Sequence, residues 1–224
     1  MKLLDCGVAV LVGDTHISSW VIDHNRLDIA EEMLRPFHQY VPEGGTVIDV
    51  GASIGDHTIT YAQWVGKDGL VAAFEPHAQA YECLLHNTKH LPQVLQVQCG
   101  LSDTDGEVGI VMQDNSGASY ITESEGGISV APLDSYEFDA HFIKIDVEGY
   151  EVRVLRGAEE TINRCRPVML IEVNSTALER AGSSQQELIE LILSYGYNIS
   201  MIDSRIPWSD PQYDVLCLPT EKAH

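Results

Sequence analysis

The sequence lacks paired cysteines and long apolar runs. Its five cysteines are scattered through 224 residues with no Cys-x-x-Cys pair, which is typical of reduced, mostly buried thiols in a cytoplasmic protein. No segment approaches the roughly 18 uninterrupted apolar residues of a membrane helix. The first six residues include an acid and no signal-peptide cleavage site. We therefore expect a cytoplasmic protein with no membrane partner.

Basic residues are also scarce, with 13 Lys and Arg against 34 Asp and Glu, giving a formal charge of -21. A surface this acidic repels phosphate backbones and anionic lipids, which argues against nucleic acid as a partner. The charge has two remaining interpretations, solubility alone or a preference for neutral or cationic substrates. The oligomeric state cannot be predicted from these features.

Apolar runs alternate with helical patterns from residue 46 onward, as expected for one α/β domain. The predicted strands are 46–50, 70–74, 94–99, 107–112, 128–130, 142–146, 167–172, 197–202 and 213–218. The predicted helices are 54–65, 79–90, 150–164 and 184–195. Continuous apolar strands joined by helices predict a Rossmann-like, mostly parallel seven-stranded sheet with an antiparallel edge strand and helices on both faces.

The first 41 residues are predicted to form an extension to a domain at 42–224. Runs at 7–12 and 18–23 are rich in β-formers and predict a small hairpin. A helix is then predicted from Asp28 to the break at Pro42. Within the domain, a polar segment at 115–127 is rich in Gly, Ser and acid and is hypothesised to form a mobile lid.

The motif V-I-D-V-G-A-S-I-G occupies residues 47–55 and leads from a strand into a helix. Gly51 and Gly55 bracket the turn, where a ligand can approach the backbone and the free N–H groups of the helix. A turn of this kind also serves close strand–helix packing, so by itself it is weak evidence for a ligand.

Glu75 strengthens the prediction, because it ends the second strand and follows Gly55 by 20 residues. An acid at this position can accept hydrogen bonds from both hydroxyls of a ribose, which favours an adenosyl ligand. A dinucleotide turn has the spacing G-x-G-x-x-G, whereas Ser53 interrupts that pattern here. Asp49 would repel a pyrophosphate and suit the ammonium of a methionine group. The turn therefore favours S-adenosyl-L-methionine over NAD.

Ser102 and Asp103 follow the third strand, where the adenine ring would lie, although a surface turn explains them equally well. The complete set of predicted cofactor-binding residues is Asp49, Gly51, Ala52, Ser53, Gly55, His57, Thr58, Glu75, Pro76, Ser102, Asp103 and Asp146.

These motifs, with the segment F-I-K-I-D-V-E-G-Y-E at 142–151 and V-L-R-G at 154–157, resemble the FkbM-type methyltransferases. The resemblance extends over about 45–174. It implies a class I methyltransferase fold and methyl transfer to an oxygen, commonly a hydroxyl of a sugar or natural product. The segments that build the acceptor pocket fall outside it.

Methyl transfer to a hydroxyl benefits from a base that removes its proton. Asp146 and Glu148 end a central strand and are the first candidates, followed by Lys144 and His57. Lys144 and Asp146 should point to one side of the sheet because strand residues alternate. Lys144 is explained equally well by pairing with the surrounding acids, and His57 by packing alone.

A divalent metal is possible but not predicted, with Asp146, Glu172 and Asn174 as oxygen ligands suited to Mg²⁺. Two other functions stay open, an NAD(P)-dependent oxidoreductase and a non-catalytic adenosyl-binding protein. The sequence does not contain the Tyr-x-x-x-Lys pair of short-chain reductases, and the acidic group around Asp146 argues against a non-catalytic role.

Overall fold

A computed structural model describes residues 1–14, 17–27, 30–111, 120–122, 127–203, 205, 207–208 and 210–220. The strands are β1 Lys2–Leu3, β2 Ala9–Val10, β3 Thr46–Val50, β4 Leu70–Phe74, β5 Val94–Val97, β6 Gly100–Leu101, β7 Gly106–Val111, β8 Tyr120–Thr122, β9 Ile128–Ala131, β10 Phe142–Ile145, β11 Val168–Asn174, β12 Tyr197–Met201 and β13 Gln212–Pro219. The helices are α1 Ile17–His24, α2 Ala30–Leu34, α3 Asp56–Val65, α4 Ala78–Thr88, α5 Glu151–Arg156, α6 Glu159–Cys165, α7 Ser175–Arg180 and α8 Gln185–Ser194. Within these described residues, 3-10 helices occupy Arg35–Tyr40 and Leu133–Tyr136.

Seven strands form the central sheet in the order β12-β13-β11-β10-β3-β4-β5. The pairs from β11 to β5 are parallel, and β13 is antiparallel to both β11 and β12. The predicted fold is thus confirmed, with the antiparallel strand one place in from the edge. The parallel strands end together, and this carboxyl end of the sheet carries the site described below.

Each face of the sheet is covered by a different set of helices. Val47 faces one core with α2, α3 and α4, whereas Ile48 faces the other with α5, α6 and α8. Because successive strand residues point to opposite faces, a strand covered on both sides needs apolar residues throughout. None of the helices in the described part of the chain has the length and hydropathy to cross a membrane.

The predicted N-terminal hairpin is wrong in its second strand. The observed hairpin joins β1 to β2, and residues 18–23 lie in the helix α1. Asp14 explains the difference, since its carboxylate accepts the Ser18 N–H at 2.7 Å and so satisfies a free donor at the start of the helix. Val21 is fully buried, and Ile17 packs against the same core one helical turn earlier.

The predicted helix at 150–164 is two helices, α5 and α6, separated at Gly157. A Cβ on Gly157 would lie 1.9 Å from the Ser102 carbonyl oxygen. The backbone at Gly157 therefore packs directly against the backbone at Ser102. The predicted strand at 94–99 ends at Val97, and β6 joins a second sheet of order β6-β9-β7-β8. Of the predicted lid at 115–127, residues 115–119 and 123–126 lie outside the described residues.

Candidate active site

The turn after β3 has the backbone conformation that its glycines allow. Gly51 has φ +79° and Gly55 φ +94°, while Ser53 between them has φ +50°. A Cβ on Gly51 would lie 1.9 Å from the Asp146 carbonyl oxygen. Glycine is therefore required for β3 and β10 to end side by side. Gly51 N and Ala52 N both donate to the Phe74 carbonyl at 3.0 Å, which attaches the turn to the end of β4.

The Glu75 carboxylate is fixed beside this turn by two backbone donors. Its Oε2 accepts the Ser53 N–H and its Oε1 accepts the His77 N–H, both at 2.8 Å. Burial raises the pKa of Glu75 to about 7, opposed by these two bonds and by Lys144. Each carboxylate oxygen retains acceptor capacity for another donor. Pro76 lies within the short loop that brings His77 back to the carboxylate.

Asp49 is fully buried under the turn. The Thr58 hydroxyl donates to its Oδ2 at 2.6 Å, and the Lys144 ammonium lies 3.6 Å from its Oδ1. Oδ1 has no hydrogen-bond partner among the described residues. The hydroxyl of Thr58 is thus already used inside the fold, and direct cofactor contacts from Asp49 and Thr58 stay predictions.

The Lys144 side chain joins the ends of β3 and β10. Its ammonium donates to the Gly51 carbonyl at 2.8 Å and lies 3.5 Å from an Asp146 oxygen. Burial lowers the pKa of Lys144, but Asp146 and Asp49 outweigh it and raise the pKa above its ordinary value. The shift favours the protonated form of Lys144, and a catalytic role for this residue stays a prediction.

Three carboxylates converge next to this cation. Asp146, Glu148 and Glu172 each place an oxygen within 4.8 Å of the others. Burial and the charge of Asp146 raise the pKa of Glu148 to about 7. Burial, then Asp146 and Glu148, raise the pKa of Glu172. The Gln212 amide donates to Glu172 Oε1 at 2.7 Å, while the buried Oε2 has no partner among the described residues.

Asn174 lies beside this group. Its Nδ2 donates to Glu148 Oε2 at 3.5 Å, while its Oδ1 accepts the Ala177 N–H at 3.1 Å and caps α7. Asparagine is a favoured cap because it satisfies a free donor of the first helical turn. Metal binding by Asp146, Glu172 and Asn174 stays a prediction, and Glu148 adds a carboxylate next to Asp146 and Glu172.

Glu151 holds the backbone of the loop at 147–149 after β10, and it was not found by sequence reasoning. Its Oε1 accepts the N–H groups of Gly149 at 3.1 Å and Val147 at 3.3 Å. The side chain is fully buried, and burial raises its pKa to about 7. The available signal was an acid in the first turn of the predicted helix, two residues after Gly149.

A cavity of about 50 Å³ opens beside the carboxylates. Its polar lining is His57, Lys144, Asp146, Glu172 and Asp214, and its apolar lining is Met33, Leu34, Phe37, Ile145, Leu170 and Ile202. His57 thus lines this cavity, with Nε2 3.8 Å from Asp56, and its catalytic and cofactor roles stay predictions. Its buried Nδ1 has no partner in the part of the chain that the structure describes.

Asp214 was missed by sequence reasoning. It lies on β13 directly opposite Glu172. Partial burial and Asp146 raise the pKa of Asp214, while His57 and Lys144 oppose the shift. Its sequence position gave no signal, because it reaches the site only through the pairing of β13 with β11.

The predicted adenine contacts lie by the junction of α5 and α6. The Ser102 hydroxyl donates to Asp103 at 3.1 Å, and Arg153 lies 3.4 Å from the same oxygen. Ser102 is buried beneath Gly157, which gives it a structural role. Adenine binding by this pair stays a prediction.

Comparison with known proteins agrees with this arrangement. Residues 49–199 match the model of the methyltransferase FkbM domain. The chain belongs to the FkbM methyltransferase family. The match begins at Asp49 under the turn and runs through the carboxylate group to β12.

A curated relative is the hexuronic acid methyltransferase AglP of Haloferax volcanii, 23% identical over 154 residues. The match covers 65% of this chain and 62% of that protein, so the chain spans less than two thirds of its relative.

Solved structures also share the fold. A methyltransferase FkbM from Methylobacillus flagellatus has a TM-score of 0.53 and 23% identity, covering 77% of this chain and 42% of its own. Aeropyrum pernix fibrillarin with bound S-adenosyl-L-methionine has a TM-score of 0.53 and 13% identity. The match covers 80% of this chain and 68% of the fibrillarin chain.

Proposed function

We propose that this protein binds S-adenosyl-L-methionine and transfers its methyl group to a hydroxyl oxygen of a small acceptor, such as a sugar or natural product. The observation that carries the proposal is the Glu75 carboxylate, fixed by backbone N–H groups beside the turn of residues 51–55. We call residues 51–55 and Glu75 the cofactor half of the site. Membership of the FkbM family supports the reaction class, and the name of the Haloferax relative supports a sugar acceptor.

The residues of the cofactor half fit an adenosyl group. Glu75 is 7% exposed and its oxygens retain lone pairs for two ribose hydroxyls. The buried Asp49 Oδ1 accepts no hydrogen bond from the described residues, so it can receive one from an ammonium group or from a bridging water. Gly51 and Gly55 let the turn pack closely on the fold, since an added Cβ would lie 1.9 Å from the Asp146 carbonyl oxygen and 3.0 Å from Leu84, respectively.

When bound, S-adenosyl-L-methionine supplies a methyl group on a positively charged sulfur. The acceptor oxygen forms the new carbon–oxygen bond, the carbon–sulfur electron pair stays on sulfur, and the hydroxyl proton must leave. Asp146 is the proposed base, because it lines the cavity and its side chain is 39% exposed. Glu148 is next to it, with a pKa of about 7 that suits proton transfer near neutrality.

Lys144 is a positioning residue in this proposal. Its ammonium holds the Gly51 carbonyl at 2.8 Å and Asp146 at 3.5 Å, so it fixes the base relative to the cofactor turn. His57 lines the same cavity and is proposed to orient the acceptor. No step in the proposal requires a divalent metal.

Calorimetric titration with S-adenosylhomocysteine, alongside NAD⁺, tests the cofactor. We expect micromolar binding of S-adenosylhomocysteine and no heat from NAD⁺. Glu75→Ala should weaken binding by about tenfold or more, because two hydrogen bonds to a charged group are lost. Glu82→Ala is the matched control, since Glu82 is an exposed acid on the adjacent helix α4.

Binding of NAD⁺ in place of S-adenosylhomocysteine would support the oxidoreductase and reject the proposal. Equal weakening by Glu75→Ala and Glu82→Ala would remove Glu75 from the cofactor site. Melting temperatures of both variants distinguish lost binding from lost folding, since Glu75 also anchors the backbone of Ser53 and His77.

A further inference from the structure

The cavity beside the cofactor half carries an excess of acids. Asp146, Glu172 and Asp214 line it, against the two basic residues Lys144 and His57. We call Asp146, Glu148, Glu172 and Asp214 the acceptor half of the site. In the part of the chain that the structure describes, no arginine lines this cavity.

Lys144 is not available to an anionic acceptor. Its ammonium is held by the carbonyl oxygen of Gly51 and lies between two carboxylates, 3.6 Å from Asp49 and 3.5 Å from Asp146. Its side chain is only 6% exposed. The charge of this lysine is therefore already compensated inside the protein. The other basic groups at the acceptor half are His57, which acts on Asp214, and Arg180, which acts on Glu148, so acids outnumber basic groups there.

Glu172 and Asp214 face one another across an antiparallel strand pair. Like charges directly opposite in such a pair destabilise a sheet. Glu172 Oε2 is also buried without a hydrogen-bond partner among the described residues, and an unsatisfied buried acceptor costs free energy. A hydrogen-bond donor carrying positive charge would remove both costs.

We propose that the acceptor is a cation, a hydroxylated molecule such as an amino sugar whose ammonium lies between Glu172 and Asp214. This inference rests on the proposed function and names the acceptor class of the same site. The relative from Haloferax is named for an anionic sugar acid, so the two proteins would differ in the charge of their acceptors.

Three probes of similar size test the charge preference, namely methyl glucosaminide, methyl glucoside and methyl glucuronide. Their dissociation constants are measured by ligand-observed NMR, with and without S-adenosylhomocysteine. We expect the glucosaminide to bind about tenfold or more tighter than the glucoside, because a charged hydrogen bond is gained. The glucuronide should bind weakest, and added salt should reduce the differences.

The double variant Glu172→Gln with Asp214→Asn should lose the preference for the amine while keeping side-chain size. The control is Glu43→Gln with Glu82→Gln, two exposed acids away from the cavity; Glu43 precedes β3 and so lies at the opposite end of the sheet. The control should keep the full preference. Titration with S-adenosylhomocysteine on the same samples reports on the proposed function separately, because neither Glu172 nor Asp214 belongs to the cofactor half.

Equal or tighter binding of the glucoside or glucuronide would overturn the inference, as would no binding of the glucosaminide at 50 mM. A preference that survives the double variant would also overturn it. Displacement of the glucosaminide by micromolar Mg²⁺ would assign the carboxylates to a metal instead. If S-adenosylhomocysteine fails to bind but the glucosaminide preference is present, the proposed function fails and the cation site remains.

Discussion

Glu75 and Glu172 both lie at the carboxyl end of the same sheet, yet their carboxylates have different surroundings. Glu75 accepts backbone N–H groups on both oxygens. Glu172 has one amide donor on Oε1, carboxylate oxygens of Asp146 and Glu148 within 4.8 Å, and Asp214 opposite it in the strand register. The cofactor half is therefore preorganised by its own backbone, whereas the acceptor half holds more carboxyl groups than basic groups, which are Lys144, His57 and Arg180.

Lys144 joins the two halves, and its removal should have the largest effect. Lys144→Met leaves the buried Asp49 without its cation, so we expect a loss of about 3–5 kcal/mol in the free energy of unfolding. Urea denaturation measures this loss. Lys67→Met is the control at an exposed lysine and should change little. A loss below about 1 kcal/mol for Lys144→Met would mean that the two halves are not held together by this charge.

Gly51 tests whether the cofactor half depends on close backbone contact. Gly51→Ala should cost about 2–4 kcal/mol, because it combines a positive φ with a clash against the Asp146 carbonyl. Gly182→Ala is the matched control, since Gly182 has φ +80° and no atom within 4 Å of an added Cβ. It should cost about 1–2 kcal/mol. Equal costs in urea denaturation would contradict the account of the turn.

Neutralising Asp49, under the cofactor turn, and Glu172, in the acceptor half, should change the stability of the protein in opposite directions. Asp49→Asn weakens the ion pair with Lys144, so we expect a loss of about 1–3 kcal/mol. Glu172→Gln removes a carboxyl whose pKa is raised by burial and by Asp146 and Glu148, so it should stabilise the protein by about 1 kcal/mol at pH 8. Thermal unfolding of both variants at pH 8 measures the signs. Destabilisation by Glu172→Gln would show that its charge is already compensated.

The acceptor half should also make stability depend on pH. The pKa of Glu148 rises from an ordinary value of 4.5 to about 7 on folding. A raised carboxyl pKa contributes stability that is present below pH 4.5 and is lost as pH rises through 7. The free energy of unfolding should therefore fall between pH 5 and 8. Glu148→Gln should reduce this fall by about 1 kcal/mol, after allowance for screening at this partly exposed group.

The cofactor half could largely be predicted from the sequence. Strands β3 and β4 have the predicted bounds, because continuous apolar runs between glycine-rich turns define them locally. Gly51, Gly55 and Glu75 are likewise defined by spacing along the chain. The structure brings these residues together at the turn by hydrogen bonds to Phe74 and Ser53.

The acceptor half could be predicted only in part. Asp146 and Glu148 follow a recognisable strand, but Asp214 arrives through the antiparallel pairing of β13 with β11. Asn174 caps α7 in the structure, a role that the sequence did not single out because a strand-end amide suits a metal or a helix cap equally well. The strand prediction for residues 18–23 was wrong for a similar reason. A short apolar run suits either a strand or a helix until the cap at Asp14 is known.

A crystal structure with S-adenosylhomocysteine and methyl glucosaminide tests the division of the site most directly. The account predicts the ribose hydroxyls within hydrogen-bond distance of Glu75 and the ammonium of the sugar within reach of Glu172 or Asp214. A ribose bound away from Glu75 would contradict this division of the site. A sugar bound with its ammonium out of reach of both Glu172 and Asp214 would also contradict it.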